Sequence, residues 1–140
     1  MTEKYPRASG FTMIELMIVL FILALLAALV APRLIGRVGV AKQKTAKIQI
    51  QLLGTTLDLF HLDVGRYPTE EEGLQALNQR PPSLPQWAGP YLKKEVPKDP
   101  WGHEYVYKCP GEHGPYDLFS YGADGSPGGE GENQDITNWE

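Results

Sequence analysis

A single carboxylate, Glu15, interrupts the start of an otherwise apolar run from Phe11 to Ala31. At a helical rise of 1.5 Å per residue that run spans about 31 Å, the thickness of a bilayer's hydrocarbon core. An ionisable group in such a segment costs roughly a few kcal/mol unless it is paired or lies near the interface, so Glu15 is a functional candidate by default. An ordinary secretory signal explains the run poorly. Its apolar part exceeds the usual length of about 7 to 15 residues, and Ala27-Ala28-Leu29-Val30-Ala31-Pro32 offers no small-x-small pair followed by a permissive residue. A plain transmembrane anchor accounts for the length. It does not account for the hexapeptide Gly10-Phe11-Thr12-Met13-Ile14-Glu15 behind the basic residues Lys4 and Arg7.

The helical pattern continues past Pro32. Leu34, Val38, Ala41, Thr45, Ile48, Leu52, Thr55 and Leu59 recur at spacings of four and three, and Leu53, Leu57, Phe60 and Val64 widen the stripe. No cap or loop separates it from the apolar run, so one helix is expected from about Thr12 to Asp63. It would be about 78 Å long and bent near Pro32, whose ring removes a hydrogen bond. Over residues 45–64 the stripe is expected to pack on the chain's own domain. Thr69 and Glu72 fit a capping box for a short second helix through Gly73-Leu74-Gln75-Ala76-Leu77, ended by Pro81-Pro82-Ser83-Leu84-Pro85. Residues 103–109 and 116–121 read as strands flanking Pro110-Gly111-Glu112-His113-Gly114-Pro115, a hairpin with a longer loop. The fold class is therefore α+β: a long N-terminal helix against a small antiparallel sheet at its aromatic end.

Charge is uneven. Residues 33–47 carry Arg33, Arg37, Lys42, Lys44 and Lys47 with no acid, whereas from Asp99 onward the acids face Lys108 alone. A basic helix beside a membrane segment suits lipid head groups, or acids on neighbouring copies, better than nucleic acid. Cys109 is the only cysteine, so no internal disulfide can form. No catalytic arrangement stands out: His61, His103 and His113 lack metal-ligand spacing, no glycine loop with a lysine cradles phosphate, and no serine sits in a nucleophile elbow. Cys109 reads as a strand residue, and Trp87, Trp101 and Trp139 as packing anchors. The chain is not expected to be an enzyme.

The hexapeptide, the apolar run behind it and Pro32 together resemble the amino terminus of type IV pilins and of the pseudopilins of type II secretion. The resemblance implies a leader, residues 1–10, removed by a prepilin peptidase between Gly10 and Phe11, with N-methylation of Phe11. Residues 11–31 would form the transmembrane and filament-core helix. Residues 32–140 would form a periplasmic head that includes the C-terminal half of the long helix. One departure is that Ala8 and Ser9 separate Arg7 from Gly10, where many relatives have a basic residue directly before the glycine.

Later segments look like motifs of the major pseudopilins: Asp63-Val64-Gly65-Arg66-Tyr67-Pro68-Thr69 with Gly73-Leu74-Gln75-Ala76-Leu77, then Lys98-Asp99-Pro100-Trp101-Gly102, Ser120-Tyr121-Gly122-Ala123-Asp124-Gly125 and Asp135-Ile136-Thr137-Asn138-Trp139. The implied protein is a single-pass inner-membrane homopolymer, pilin-like in fold. Its implied partners are lipid, the prepilin peptidase, minor pseudopilins and an inner-membrane assembly platform. The filament would drive export of folded proteins across the outer membrane, with Glu15 pairing with the amino group of Phe11 on an adjacent copy. The implied orientation, head in the periplasm, runs against a simple positive-inside count, which favours the more basic later segment as cytoplasmic. Two alternatives share parts of the pattern: a type IV pilin for adhesion or motility, which usually has the cysteine pair this chain lacks, and a membrane-anchored periplasmic binding domain.

Asp124, Ser126, Glu130, Glu132, Asn133 and Asp135 crowd oxygen donors into a glycine-rich stretch. Such donors suit calcium better than zinc or magnesium, although the spacing is not that of an EF-hand and a solvated acidic loop fits the residues alone. The resemblance implies Ca2+, held by the side chains of Asp124 and Asp135 and the main-chain carbonyls of Tyr121 and Ser126, with Glu130 and Asn133 as further candidates. Few apolar residues follow Tyr121, so binding free energy from calcium would offset the loop's ordering entropy.

Overall fold

Helix α1 begins where Thr12 caps it: the Glu15 N–H donates to Thr12 Oγ1 at 3.2 Å. It spans Met13–Val64 with Pro32 inside it, close to the bounds expected from the sequence. The computed structural model describes residues 10–140, the side chains of 33–35 excepted, so Lys4 and Arg7 lie outside the described residues. The chain divides into two compact units, Met1–Arg37 and Val38–Glu140.

In the first unit, large apolar side chains from Phe11 through Val30 stand exposed around the whole helix. An apolar surface of that extent marks a membrane or a partner. Among the described residues, α1 is the one helix long and apolar enough to cross a bilayer.

In the second unit, α1 buries Ala46, Ile50, Leu53, Leu57 and Phe60, at spacings of four and three that keep them on one face. They pack against Leu74, Leu77, Tyr105, Tyr107, Leu118 and Ile136. The expected core stripe is thereby corrected. Ile48, Leu52 and Leu59 are exposed, Leu52 by 62% against 2% for Leu53. The helix carries two apolar stripes about two residues apart, hence on nearly opposite faces, and spacing alone does not say which meets the sheet. Leu53→Ala should cost about 2–5 kcal/mol and Leu52→Ala about 0.5 kcal/mol or less, compared by urea denaturation.

The capping box forms: the Thr69 N–H donates to Glu72 Oε2 at 2.9 Å and the Glu72 N–H to Thr69 Oγ1 at 3.2 Å. The helix it was expected to start is instead a 3-10 turn, Leu74–Leu77, because Gly73 at φ 57° leaves the right-handed helical region first. Glu72 also takes a two-pronged pair from Arg66, both contacts at 2.8 Å. Arg66 holds the Glu72 carboxyl down at about 2, from an ordinary 4.5. A depressed carboxylate stabilises the fold above its unfolded pKa and loses that contribution as pH falls from about 5 toward 2. Arg66 is 40% exposed, so solvent screening limits the effect to about 1 kcal/mol. Arg66→Ala should remove that portion of the acid dependence of urea stability.

The sheet is antiparallel in the order β1 (Val106–Lys108), β2 (Asp117–Ser120), β3 (Ile136–Thr137). Val106 pairs with Phe119, and Ser120 with Ile136. Both expected strands are present but shorter. At the front of β1 the chain is bent by a turn in which the Asp99 N–H donates to the His103 carbonyl, and Pro110 bounds its far end. Every residue of the central strand β2 is buried. Strand β3 was not foreseen, since two residues carry no periodicity.

Candidate functional site

Two regions carry the residues singled out by sequence. At the start of the chain, Gly10 and Phe11 are exposed, with Phe11 unpacked. Glu15 is exposed one turn further on, and its carboxylate forms no salt bridge among the described residues. Among the described residues nothing covers Gly10 or Phe11, and Glu15 is an acid on an apolar surface.

The second region is the loop joining β2 to β3. Its base is fixed by a buried network. Asp99 Oδ1 accepts the N–H groups of Trp101 (3.0 Å) and His103 (2.8 Å), and its Oδ2 accepts the Ser120 hydroxyl at 2.6 Å. Ser120 Oγ in turn accepts the Gly122 N–H at 3.1 Å. His103 Nδ1 lies 3.2 Å from the Gly122 carbonyl, which places the ring proton on Nδ1. Sequence reading picked out the two segments holding Asp99 and Ser120 but not their union, which needs the sheet to bring them together.

The loop closes on itself above that base. The Ala123 N–H donates to the Glu132 carbonyl at 2.9 Å. Gly122, at φ +72°, passes so near the main chain of residues 132–134 that a Cβ would sit 2.8 Å from Glu132 O. Only glycine fits there. Tyr121–Asp124 thus run alongside Glu132–Asp135. The predicted metal ligands fall at the two ends of this closed loop. Asp124 is exposed and its Oδ1 accepts the Ser126 N–H at 3.1 Å. Asp135 is half-buried and its Oδ2 accepts the Gly128 N–H at 3.0 Å.

Asp135 Oδ1 is buried and, among the described residues, has no hydrogen-bond partner. A buried unsatisfied carboxylate oxygen calls for a donor or a cation. Among the described residues no three His, Cys, Asp or Glu side chains gather as a metal cluster. A cation here would need main-chain carbonyls as well, a mixture of oxygen donors that calcium accepts. The donor chemistry fits. Of the further candidates, both exposed, Glu130 precedes and Asn133 ends the 3-10 turn Gly131–Asn133, where the Asn133 N–H donates to the Glu130 carbonyl at 3.1 Å.

The histidines occupy separate structural positions. His61 packs on Tyr67 at 4.6 Å, and His113 stacks on Trp139 at 4.0 Å. His113 Nδ1 lies 3.0 Å from Asp117 Oδ2. Burial pushes the Asp117 carboxyl up, but the His113 ring and the N–H groups of Glu112 and His113 together hold it below its usual value. Trp87 and Trp101 pack against the core and Trp139 against Phe119, and Cys109 follows β1 with its thiol facing the Pro115 carbonyl.

A membrane-length apolar helix with an exposed N-terminal acid, continuing into a small α+β head, defines a pilin-like subunit. The family described as type II secretion system, protein G, matches residues 33–139, and the prokaryotic N-terminal methylation motif matches residues 5–31. The chain is 45% identical over 137 residues to type II secretion system core protein G of Pseudomonas aeruginosa, covering 96% of each. It is 44% identical over 140 residues to that of Vibrio cholerae, covering 98% of this chain and 95% of the relative. The crystal structure of the major pseudopilin from the type 2 secretion system of enterohaemorrhagic Escherichia coli superposes with a TM-score of 0.63 at 38% identity, covering 77% of this chain and 95% of that one. The chain belongs to the type II secretion system protein G family.

Proposed function

We propose that this chain is the major structural subunit of a type II secretion pseudopilus. Anchored in the inner membrane by the apolar part of α1, it polymerises into a periplasmic filament that drives folded proteins across the outer membrane. The observation that carries this is the joint presence of the methylation motif over residues 5–31 and the family match over residues 33–139. A prepilin peptidase reads residues 1–10 and cuts at the Gly10–Phe11 bond, and Phe11 is then methylated. The exposed apolar surface that follows is buried equally well by lipid or by the same helix of other copies, so subunits pass between bilayer and filament. Minor pseudopilins and an inner-membrane platform are the further partners of such a filament.

In the head, Asp124 and Asp135, with the main-chain carbonyls of Tyr121 and Ser126, hold calcium. A bound ion would supply the positive charge that the buried Asp135 Oδ1 lacks among the described residues, and these residues would then hold the two ends of the loop together. Support comes from that buried oxygen and from the closed path of the glycine-rich chain.

Mass spectrometry of the protein from host membranes tests the assignment. The expected chain starts at methylated Phe11. A chain still beginning at Met1 would sink the reading. Deletion of its gene should abolish export of secreted enzymes with twitching motility intact; the reverse outcome would favour an adhesion or motility pilin.

A further inference from the structure

Gly39, Gln43 and Lys47 are one turn apart along α1 and therefore share a face. All three meet the loop and strand that carry Asp135. The Glu132 side chain lies where a Cβ on Gly39 would fall, so it occupies the space that a larger residue would need. Gln43 Nε2 donates to the Gly131 carbonyl. Lys47 Nζ donates to the Thr137 carbonyl at 3.2 Å and to the main-chain oxygen of Glu140. Asp135 is thus held between two anchored carbonyls, Gly131 before it and Thr137 after it. Sequence reading counted Lys47 only as one of the stem's basic residues.

The same contacts act on the helix. Gly36 and Gly39 lower helix propensity where α1 enters the head. Val38 and Val40 are exposed, and Ala46 is the first buried apolar side chain of the head's core. Before Ala46, the described contacts of these turns with the C-terminal segment are the Gln43–Gly131 hydrogen bond and the Glu132 side chain lying against Gly39; Lys47 adds its two bonds one residue after Ala46.

We propose that Gly39, Gln43 and Lys47 form a clasp that joins the order of the C-terminal loop to the helical order of residues 38–47, with Lys47 as the positioning residue for Asp135. The proposal rests on the calcium reading above. Coupling between binding and helix order is reciprocal: a cation that favours the closed loop firms these helical turns, and a clasp that holds Asp135 in place raises affinity for the cation. A subunit whose loop is empty then has a loosened helical entry to its head, so assembly would select subunits with a completed loop.

The test is amide hydrogen exchange on the full mature chain in detergent micelles, with and without added calcium chloride. The variants are Lys47→Ala, Lys47→Arg, Gln43→Ala and, as a control, Lys44→Ala on the exposed neighbouring lysine. Calcium should slow exchange over residues 38–47 by about tenfold or more in the wild type, Lys44→Ala and Lys47→Arg, and by about twofold or less in Lys47→Ala. The calcium dissociation constant of Lys47→Ala should rise about tenfold with β1 and β2 still protected. If Lys47→Ala loses that protection, the comparison passes to Gln43→Ala, which is held to the same criteria. A calcium response over residues 38–47 equal to that of the wild type in the clasp variant, or failure of Lys47→Arg to rescue it, overturns the proposal. If calcium leaves residues 121–135 of the wild type unchanged, it is the calcium reading that fails. The clasp then stands only if Lys47→Ala speeds exchange at 38–47 about tenfold over Lys44→Ala in metal-free protein.

Discussion

Replacing Glu15 by glutamine is expected to stop filament growth while cleavage after Gly10 proceeds. The carboxylate lies one helical turn beyond the proposed cleavage site, on an exposed apolar surface that lipid or other copies would cover. In either surrounding its charge needs a partner, and on the proposed reading the amino group created at Phe11 on an adjacent copy would supply one at a single axial stagger. Glutamine preserves size but removes the charge, leaving the amine unpaired. Losing one member of a buried pair costs about 3–5 kcal/mol, roughly a 10²- to 4 × 10³-fold weaker addition of each subunit. Because every subunit repeats that loss, filaments should fall below detection by electron microscopy of membranes in which the protein is overproduced. The mass of the monomer should match the cleaved, methylated chain. Normal filaments from Glu15→Gln would end the pairing hypothesis.

Calcium removal should have the next largest effect. Among the described residues, the loop from Tyr121 to Asp135 contributes no side chain to the apolar core, and one of its carboxylate oxygens is buried unpartnered. Calcium at about a hundredfold above its dissociation constant adds about 2.7 kcal/mol, which for a domain of this size raises the melting temperature by about 10 °C or more. The full chain in detergent should therefore melt about 10 °C lower with chelator than with millimolar calcium, followed by near-ultraviolet circular dichroism. Asp135→Asn and Asp124→Asn should each erase most of that difference. A melting temperature indifferent to chelator would remove calcium from the account.

Legibility followed the range of the interactions concerned. Helix α1 and the capping box at Thr69 and Glu72 are local in sequence, and the structure contains both. What depended on distant parts of the chain was harder to read. Which of two apolar stripes faces the core is decided by the sheet, and that is why Ile48, Leu52 and Leu59 lie outside. Gly73 is a local exception, turning an expected helix into a 3-10 turn through its own dihedral angle. Strand β3 exists because β2 offers it a register, with Ser120 opposite Ile136. The loop's oxygen donors were visible as a cluster of residue types. Its closure through Gly122 and its anchorage on Asp99 depend on contacts across ten or more residues of sequence.

The two outer strands of the sheet are three and two residues long. An outer strand with many free amide and carbonyl groups invites another chain to zip onto it, a hazard that grows wherever copies are crowded together. Here the rims are too brief to template such growth. A protein whose work requires dense gathering at a membrane thus keeps its adhesive surface on the rod and leaves amyloid-like stacking little purchase.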